Sequence, residues 1–435
     1  MLTFGRADVR RAVLLAVALS LVAAGCTYAE REPGLLDRET GSSTAAPNEP
    51  SAPPRPPLPA PNADLPVLDD RSWTSADGLQ IQVRIAVHAL RRVGGATVLD
   101  WSVTPIEGPN LQPGDPVPEG FDLGLSRPDE AVPTILLVDA PRRRAYRPLR
   151  SKREPYHCLC TPISTSQRSL RIGVTRMLQT AFGSLPTEVS AVDVSIATVP
   201  QFWQMPLLPM DRVPVALAPT DLTRPAEVGD PAATTSMFRY GPGEQVFRLG
   251  VHRVLASTSF TSLEWEIVSV TGGRGVESAS TPPFTHPDAG ASRNPIAASG
   301  PTLRVPGRRD PLRAQVLTTE AADEPGECLC TDLRGWPGVL RRPDKVATVV
   351  TNYPALPPGT QRVEVTFPGH PSLRIVVRQA ADGNRTVRTM PVTTRRWRFL
   401  PTSPATGWDA ADWPTPVPER EQLESYDARV ERLVP

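Results

Sequence analysis

The chain predicts an all-β protein built as two tandem β-sandwiches, with a disordered N-terminal tether and a short C-terminal helix. Three observations carry that expectation. Apolar and polar residues alternate with a period of two in several short runs. Those runs occur twice, in the same order. And 52 prolines with 30 glycines among 435 residues are too many for a helical protein, while they suit short strands, turns and extended linkers.

The alternation is clearest near the start of each copy. Leu79, Ile81, Val83, Ile85 and Val87 fall on one face of an extended chain, and Gln80, Gln82, Arg84 and His88 on the other. Leu99, Trp101 and Val103 then alternate with Asp100 and Ser102, and Gly94-Gly95 between the runs is a hairpin signal. The segment Val83 to His88 recurs as Phe247 to His252, and Leu99 to Val103 as Leu263 to Ile267, both at an offset of 164 residues. His157-Cys158-Leu159-Cys160-Thr161 recurs as Glu327-Cys328-Leu329-Cys330-Thr331, Phe182 to Pro186 as Tyr353 to Pro357, and Val192-Asp193-Val194 as Val363-Glu364-Val365, at about 170. Five matches in order indicate an internal duplication. The boundaries follow: sandwich copies at 67–216 and 237–395, a linker at 217–236 marked by Pro219, Pro225 and Pro231, and a tail at 396–435. At roughly 150 residues, a copy is long enough for its own core. In the tail, Leu423, Tyr426, Val430 and Leu433 form an apolar seam spaced for a helix over Glu419 to Leu433.

The N-terminus sets the compartment. Arg6, Arg10 and Arg11 precede an apolar run from Ala12 to Ala24, the length of a signal-peptide core and too short for a membrane span of about 20 residues. Leu21-Val22-Ala23-Ala24-Gly25-Cys26 resembles a bacterial lipobox, which implies acylation of the Cys26 thiol after removal of a signal peptide at 1–25. An ordinary secretory signal is the competing reading, and both export the chain. Residues 26–66 are rich in Pro, Ala, Ser and Glu with almost no aromatics, so they cannot bury enough surface to order themselves. Extended at roughly 3.1 Å per residue they reach on the order of 100 Å from a membrane.

Four cysteines remain beyond Cys26: Cys158, Cys160, Cys328 and Cys330. In an exported chain an even set reads as disulfide-bonded, with a small ring inside each Cys-x-Cys motif as the leading arrangement. A soft-metal site, a redox-active pair, bonds between the copies and free thiols are the alternatives. His157 matches Glu327 in the second copy, which argues against a role as ligand or base. His88 and His252 match each other beside Arg84 and Arg248, which suggests exposed strand positions. The run containing Arg142, Arg143, Arg144, Arg147, Arg150, Lys152 and Arg153 is a candidate contact for anionic lipid headgroups or acidic wall polymers, against the simpler reading of a solvated hairpin. Net charge is only +1, so no global field points to nucleic acid. No nucleophile elbow, phosphate loop, zinc-protease motif or dinucleotide fingerprint occurs, and no catalytic residue, metal or cofactor is expected.

Val138-Asp139, Tyr146 to Leu149, Cys158-Leu159-Cys160, Phe182 to Pro186 and Val192 to Val194 together resemble an immunoglobulin-like extracellular domain of actinobacterial cell-envelope lipoproteins. In those proteins the domain often precedes a peptidoglycan-binding domain of the outer-membrane-protein-A type. The likeness spans about residues 67–395, and the second copy departs from it at Ala314 to Leu317. No peptidoglycan-binding domain is read in the tail, so wall binding by that route is not implied. The resulting expectation is a palmitate-bearing lipoprotein on the extracellular face of the plasma membrane. It would act as a binding or structural module of the envelope, toward wall polymer or an envelope protein, and not as an enzyme. A metal- or solute-handling lipoprotein using the Cys-x-Cys pairs is the alternative.

Overall fold

The computed structural model describes residues 66–74, 81–119, 121, 134–154, 157–161, 170–196, 199–209, 212–214, 220–226, 229–241, 243–272, 282–286, 296–318, 326–333, 343, 345–379, 389–391 and 423–434. The expected signal peptide, Cys26, the expected tether up to residue 65 and residues 396 to 422 lie outside them. The described residues form an all-β structure. The first copy contributes β1 (Asp69–Thr74), β2 (Gln82–Val93), β3 (Ala96–Glu107), β4 (Ile135–Asp139), β5 (Arg144–Tyr146), β6 (Arg150–Ser151), β7 (Arg176–Gly183), β8 (Ala191–Ile196), β9 (Val199–Leu208) and β10 (Arg212–Pro214). The second contributes β11 (Ala233–Thr234), β12 (Phe238–Tyr240), β13 (Gln245–Ala256), β14 (Phe260–Ser269), β15 (Thr302–Arg304), β16 (Val316–Thr318), β17 (Glu327–Cys328), β18 (Lys345–Pro354), β19 (Arg362–Thr366), β20 (Leu373–Gln379) and β21 (Thr389–Pro391). Two strands close the chain, β22 (Tyr426–Asp427) and β23 (Val430–Val434).

The duplication read in the sequence has a structural counterpart. Six strands run β4-β8-β9-β2-β3-β7 in the first copy and β15-β19-β20-β13-β14-β18 in the second. Even the single parallel contact recurs, β9 on β2 at Leu90↔Leu207 and β20 on β13 at Val254↔Val377. β1 covers the free side of β2 as β11 and β12 cover β13, with Asp69↔Val87 matched by Ala233↔Val251. In each copy a fully buried tryptophan on the second strand of the central hairpin, β3 or β14, donates to a threonine: Trp101 Nε1 to Thr180 at 3.2 Å and Trp265 Nε1 to Thr351 at 2.9 Å.

Between Val87 and Ala89, and again between Val251 and Arg253, the ladder slips by one residue. His88 and His252 are the extra residues of these β-bulges. The buried apolar series therefore runs Val83, Ile85, Val87 and then Leu90, and in the second copy Phe247, Leu249, Val251 and then Val254. A bulge bends its strand and re-aims the side chain at the extra position. This overturns the expectation of exposed histidines: His88 is 1% exposed.

The C-terminal helix is also corrected. From Tyr426 onward the described chain forms β22 and β23 where helix was expected; Leu423 is helical, and the expected helix before it falls outside the described residues. A helix of about 15 residues is marginal without a docking partner. Here the chain finds better partners: β23 lies between β5 and β16, hydrogen-bonded to both. The spacing of Glu431 and Leu433, both buried, is the strand period.

The segment expected as linker is not idle chain. Leu222 is buried against Ala86 and Met177, and the carbonyls of Asp221 and Arg224 accept from Arg84.

Candidate functional site

The paired bulges set up two versions of one local design. In the first copy the His88 ring is sealed. Pro66 O lies 2.9 Å from Nδ1 and can only accept, so Nδ1 carries the proton and Nε2 accepts from the Ser102 hydroxyl at 2.6 Å. Burial disfavours the charged ring and lowers its pKa to about 4.

In the second copy the position facing the histidine is Glu266 instead of Ser102, and Nε2 of His252 donates to its carboxylate at 3.0 Å. Both side chains are less than a tenth exposed. Burial works against the charge on His252, but the hydrogen bond and charge of Glu266 outweigh it, and the pKa is raised. Room for Glu266 comes from Gly250 directly across the ladder, where the first copy has Ala86. A Cβ at Gly250 would sit 2.7 Å from Glu266 Oε1.

His252 and Glu266 line a cleft of about 360 Å³, adjoining a second part of about 260 Å³ that shares Ser72, Gly229, Asp230 and His252. Trp73 and Gln82 come from the first copy, Ala226, Gly229, Asp230 and Pro231 from the connecting segment, and Arg248, Val346 and Thr348 from the second copy. The other part adds Asp70, Arg71, Arg253, Glu264 and Arg378. Most of these charges are paired locally: Arg71 with Asp69 at 2.5 Å, Asp70 with Arg84 at 2.7 Å, and Arg253 with Glu264. Among the described residues, two buried donors lining the cleft have no acceptor, the Trp73 indole N–H and Arg248 Nε–H. A buried donor without a partner costs about 1–3 kcal/mol, and such atoms are uncommon in folded proteins.

The residues singled out in the sequence gather elsewhere, where the two copies meet the C-terminal strand. Cys158 and Cys160 lie at disulfide distance within their own motif, as do Cys328 and Cys330, with Cα separations of 5.3 and 5.2 Å. Leu159 and Leu329 between them tie the motifs into the sheets in the same way, each N–H donating to an upstream carbonyl, Leu149 O and Gln315 O respectively.

The arginine-rich run divides by environment. Arg143, Arg144, Lys152 and Arg153 are exposed, and Arg142 and Arg150 are half-buried. Arg142 reaches Asp139 at 3.3 Å and Glu188 at 3.5 Å. Arg147 leaves the surface set altogether. It is buried, with Nε 2.7 Å from Glu431 and Nη2 2.5 Å from Glu327, so one guanidinium joins both copies to the last strand. Neighbours on the run also reach the C-terminal segment: Arg143 Nε donates to Leu433 O at 3.1 Å and Lys152 Nζ to Glu424 O at 2.8 Å. His157 pairs at the surface with Glu154 at 2.6 Å.

Sequence reasoning missed both the cleft and the acidic partner of the basic run. The second had a readable signal, since Glu421, Glu424, Asp427 and Glu431 put acids in the last fifteen residues. Among the described residues, no group of three or more His, Cys, Asp or Glu side chains is arranged to hold a metal ion. No protein-family model, curated protein or solved structure matches the chain.

Proposed function

We propose that the protein is an exported, membrane-tethered lipoprotein whose two immunoglobulin-like β-sandwiches form a binding module of the cell envelope, with the His252 cleft as its ligand-contacting feature. The observation that carries the binding role is the divergence between the copies. One histidine is sealed by Ser102 and Pro66, while its counterpart is hydrogen-bonded to Glu266, which raises its pKa, and lines a cleft with two donors that lack acceptors among the described residues. A ligand rich in acceptor oxygens, such as a carboxylate- or hydroxyl-bearing wall polymer, suits such a surface. Most of the titratable groups lining the cleft are held in ion pairs or hydrogen bonds, which favours holding a ligand over transforming one.

Export is supported by the basic and apolar N-terminus leading to Cys26, and by cysteines that pair within each motif. Pairing inside each motif leaves none of these four cysteines as a thiolate for a soft metal, which weighs against a metal-handling role. The exposed cations Arg143, Arg144 and Arg153 supply a contact for an anionic lipid or polymer surface.

Two experiments test this. Cys26→Ser should move the protein from the membrane to the soluble fraction and remove the mass of the acyl chains; unchanged fractionation and mass would refute the anchor. Purified ectodomain should sediment with cell-wall fragments, and Arg248→Ala should weaken that at low salt and at high salt alike. Binding lost only when Arg143, Arg144 and Arg153 are replaced would move the contact from the cleft to the hairpin.

A further inference from the structure

The last strand belongs to neither copy by chain continuity, yet it joins their sheets. β23 pairs antiparallel with β5 on one side, Val430↔Tyr146 to Arg432↔Arg144, and with β16 on the other, Leu317↔Leu433 and Val316↔Val434. Just upstream, β22 pairs with β6. The fit is specific at two side chains. Leu433 is 3% exposed in a small apolar cluster with Ala145, Leu317 and Leu329, and Glu431 is held by Arg147. Removing the strand would open two sheet edges and leave Arg147 Nε without its carboxylate, an arrangement that strongly favours refilling over vacancy.

The chain leading to this strand is long. Thirty-eight residues separate Pro391 at the end of β21 from Val430, enough for an extended reach on the order of 100 Å. Strand β22 lies within that length and pairs with β6, so an exchanged β23 would carry β22 with it onto the neighbour.

We propose that the slot between β5 and β16 is a strand-binding site, selective for an extended segment with a carboxylate followed two residues later by a large aliphatic side chain, and that a second copy of this chain fills it in trans. Main-chain hydrogen bonds on both sides provide affinity, and the Arg147 and Leu433 positions provide selectivity. Exchange of an identical element between copies repeats every contact and is a low-cost route to a dimer. This inference stands independently of export and of the cleft.

The test uses the full chain with a protease site inserted near Thr406, cut after folding so that the strand is held only by contacts. A fluorescent peptide spanning residues 423–435 should then enter at one per chain, read by native mass spectrometry, and displace the chain's own fragment. Peptides carrying Glu431→Arg or Leu433→Asp should bind on the order of tenfold more weakly or worse. The uncut chain at high concentration should contain a dimer by light scattering, converted to monomer by excess wild-type peptide. A cut chain that takes up no peptide, whether it stays folded or unravels, overturns the slot. An uncut chain that is monomeric at every concentration overturns the second copy as donor.

Discussion

Ala86 faces Ser102 across β2 and β3, and Gly250 faces Glu266 at the same register of β13 and β14. The two changes are coupled, because the carboxylate lies where an alanine Cβ would be. Gly250→Ala should therefore swing Glu266 aside at modest cost to stability, since a flexible side chain yields rather than backbone. His252 would keep its burial and lose its partner, so its pKa should fall, as followed by the NMR titration of its ring. An unchanged titration would sink the coupling. The sign for stability follows: a raised histidine pKa supplies stabilisation that is fully present below the unfolded value of about 6.5 and lost as pH rises through the folded value. Two other buried groups act in opposite senses. Burial lowers His88 to about 4, so its contribution is lost as pH falls from about 6.5 towards 4. Burial raises the Asp193 carboxyl to about 7, with Asp139 adding to the rise and the Gln204 N–H, at 2.7 Å, opposing it. Between about 3.8 and 7 the folded state holds a proton that the unfolded chain lacks, so stability falls as pH rises. The two slopes cancel in large part between pH 4 and 6.5. Asp193→Asn should expose the His88 slope, with stability rising by up to about 1.4 kcal/mol per pH unit across that window. Urea melts at three pH values decide it, and parallel profiles for variant and wild type would refute the opposition.

At the scale of the strand, β23 and Arg147 act together. The guanidinium is buried between two carboxylates, and its pKa is raised because Glu327 and Glu431 outweigh the desolvation that opposes them. Removing one member of a buried ion-pair group leaves uncompensated charge and costs about 3–5 kcal/mol. Arg147→Ala should lose stability of that order in urea, and Glu431→Gln less, because Arg147 keeps Glu327. Equal losses would mean that the Glu327 contact contributes nothing. This strand also marks where sequence reading ran out. The hairpin at Gly94-Gly95, the paired tryptophans and the cysteine motifs were legible because their partners lie within a repeat or a few residues away. Leu423, Tyr426, Val430 and Leu433 satisfy a helical spacing, and only strands nearly 300 and just over 100 residues upstream in the chain decide otherwise. The histidine bulges sat between these cases. Their trace is a one-residue phase slip, Val87 to Leu90 and Val251 to Val254, which a period-two template reads past.

For the molecule as a whole, the duplicated copies are joined at several separate places. β10 of the first pairs with β21 of the second, and β23 bridges β5 to β16. Trp203 stacks on Phe260 with centroids 5.3 Å apart, and Asn352 Nδ2 donates to Gln201 Oε1 at 2.6 Å with both residues buried. Arg147 to Glu327 crosses the same boundary. Tandem domains on a flexible linker unfold independently, whereas a seam of buried apolar, hydrogen-bonded and ionic contacts couples the two transitions. The ectodomain should therefore melt in one calorimetric transition whose calorimetric and van't Hoff enthalpies agree. Residues 67–216 expressed alone should be markedly less stable than the same residues in the full chain, because they lose β23 and leave Gln201, Trp203 and Arg147 without partners from the second copy. Two resolved transitions, or an isolated first copy as stable as the whole, would show instead that the seams form only after each copy has folded on its own. In that case the cleft at His252, which draws Trp73 from one copy and Glu266 from the other, would open and close with the relative motion of the copies rather than stand preformed.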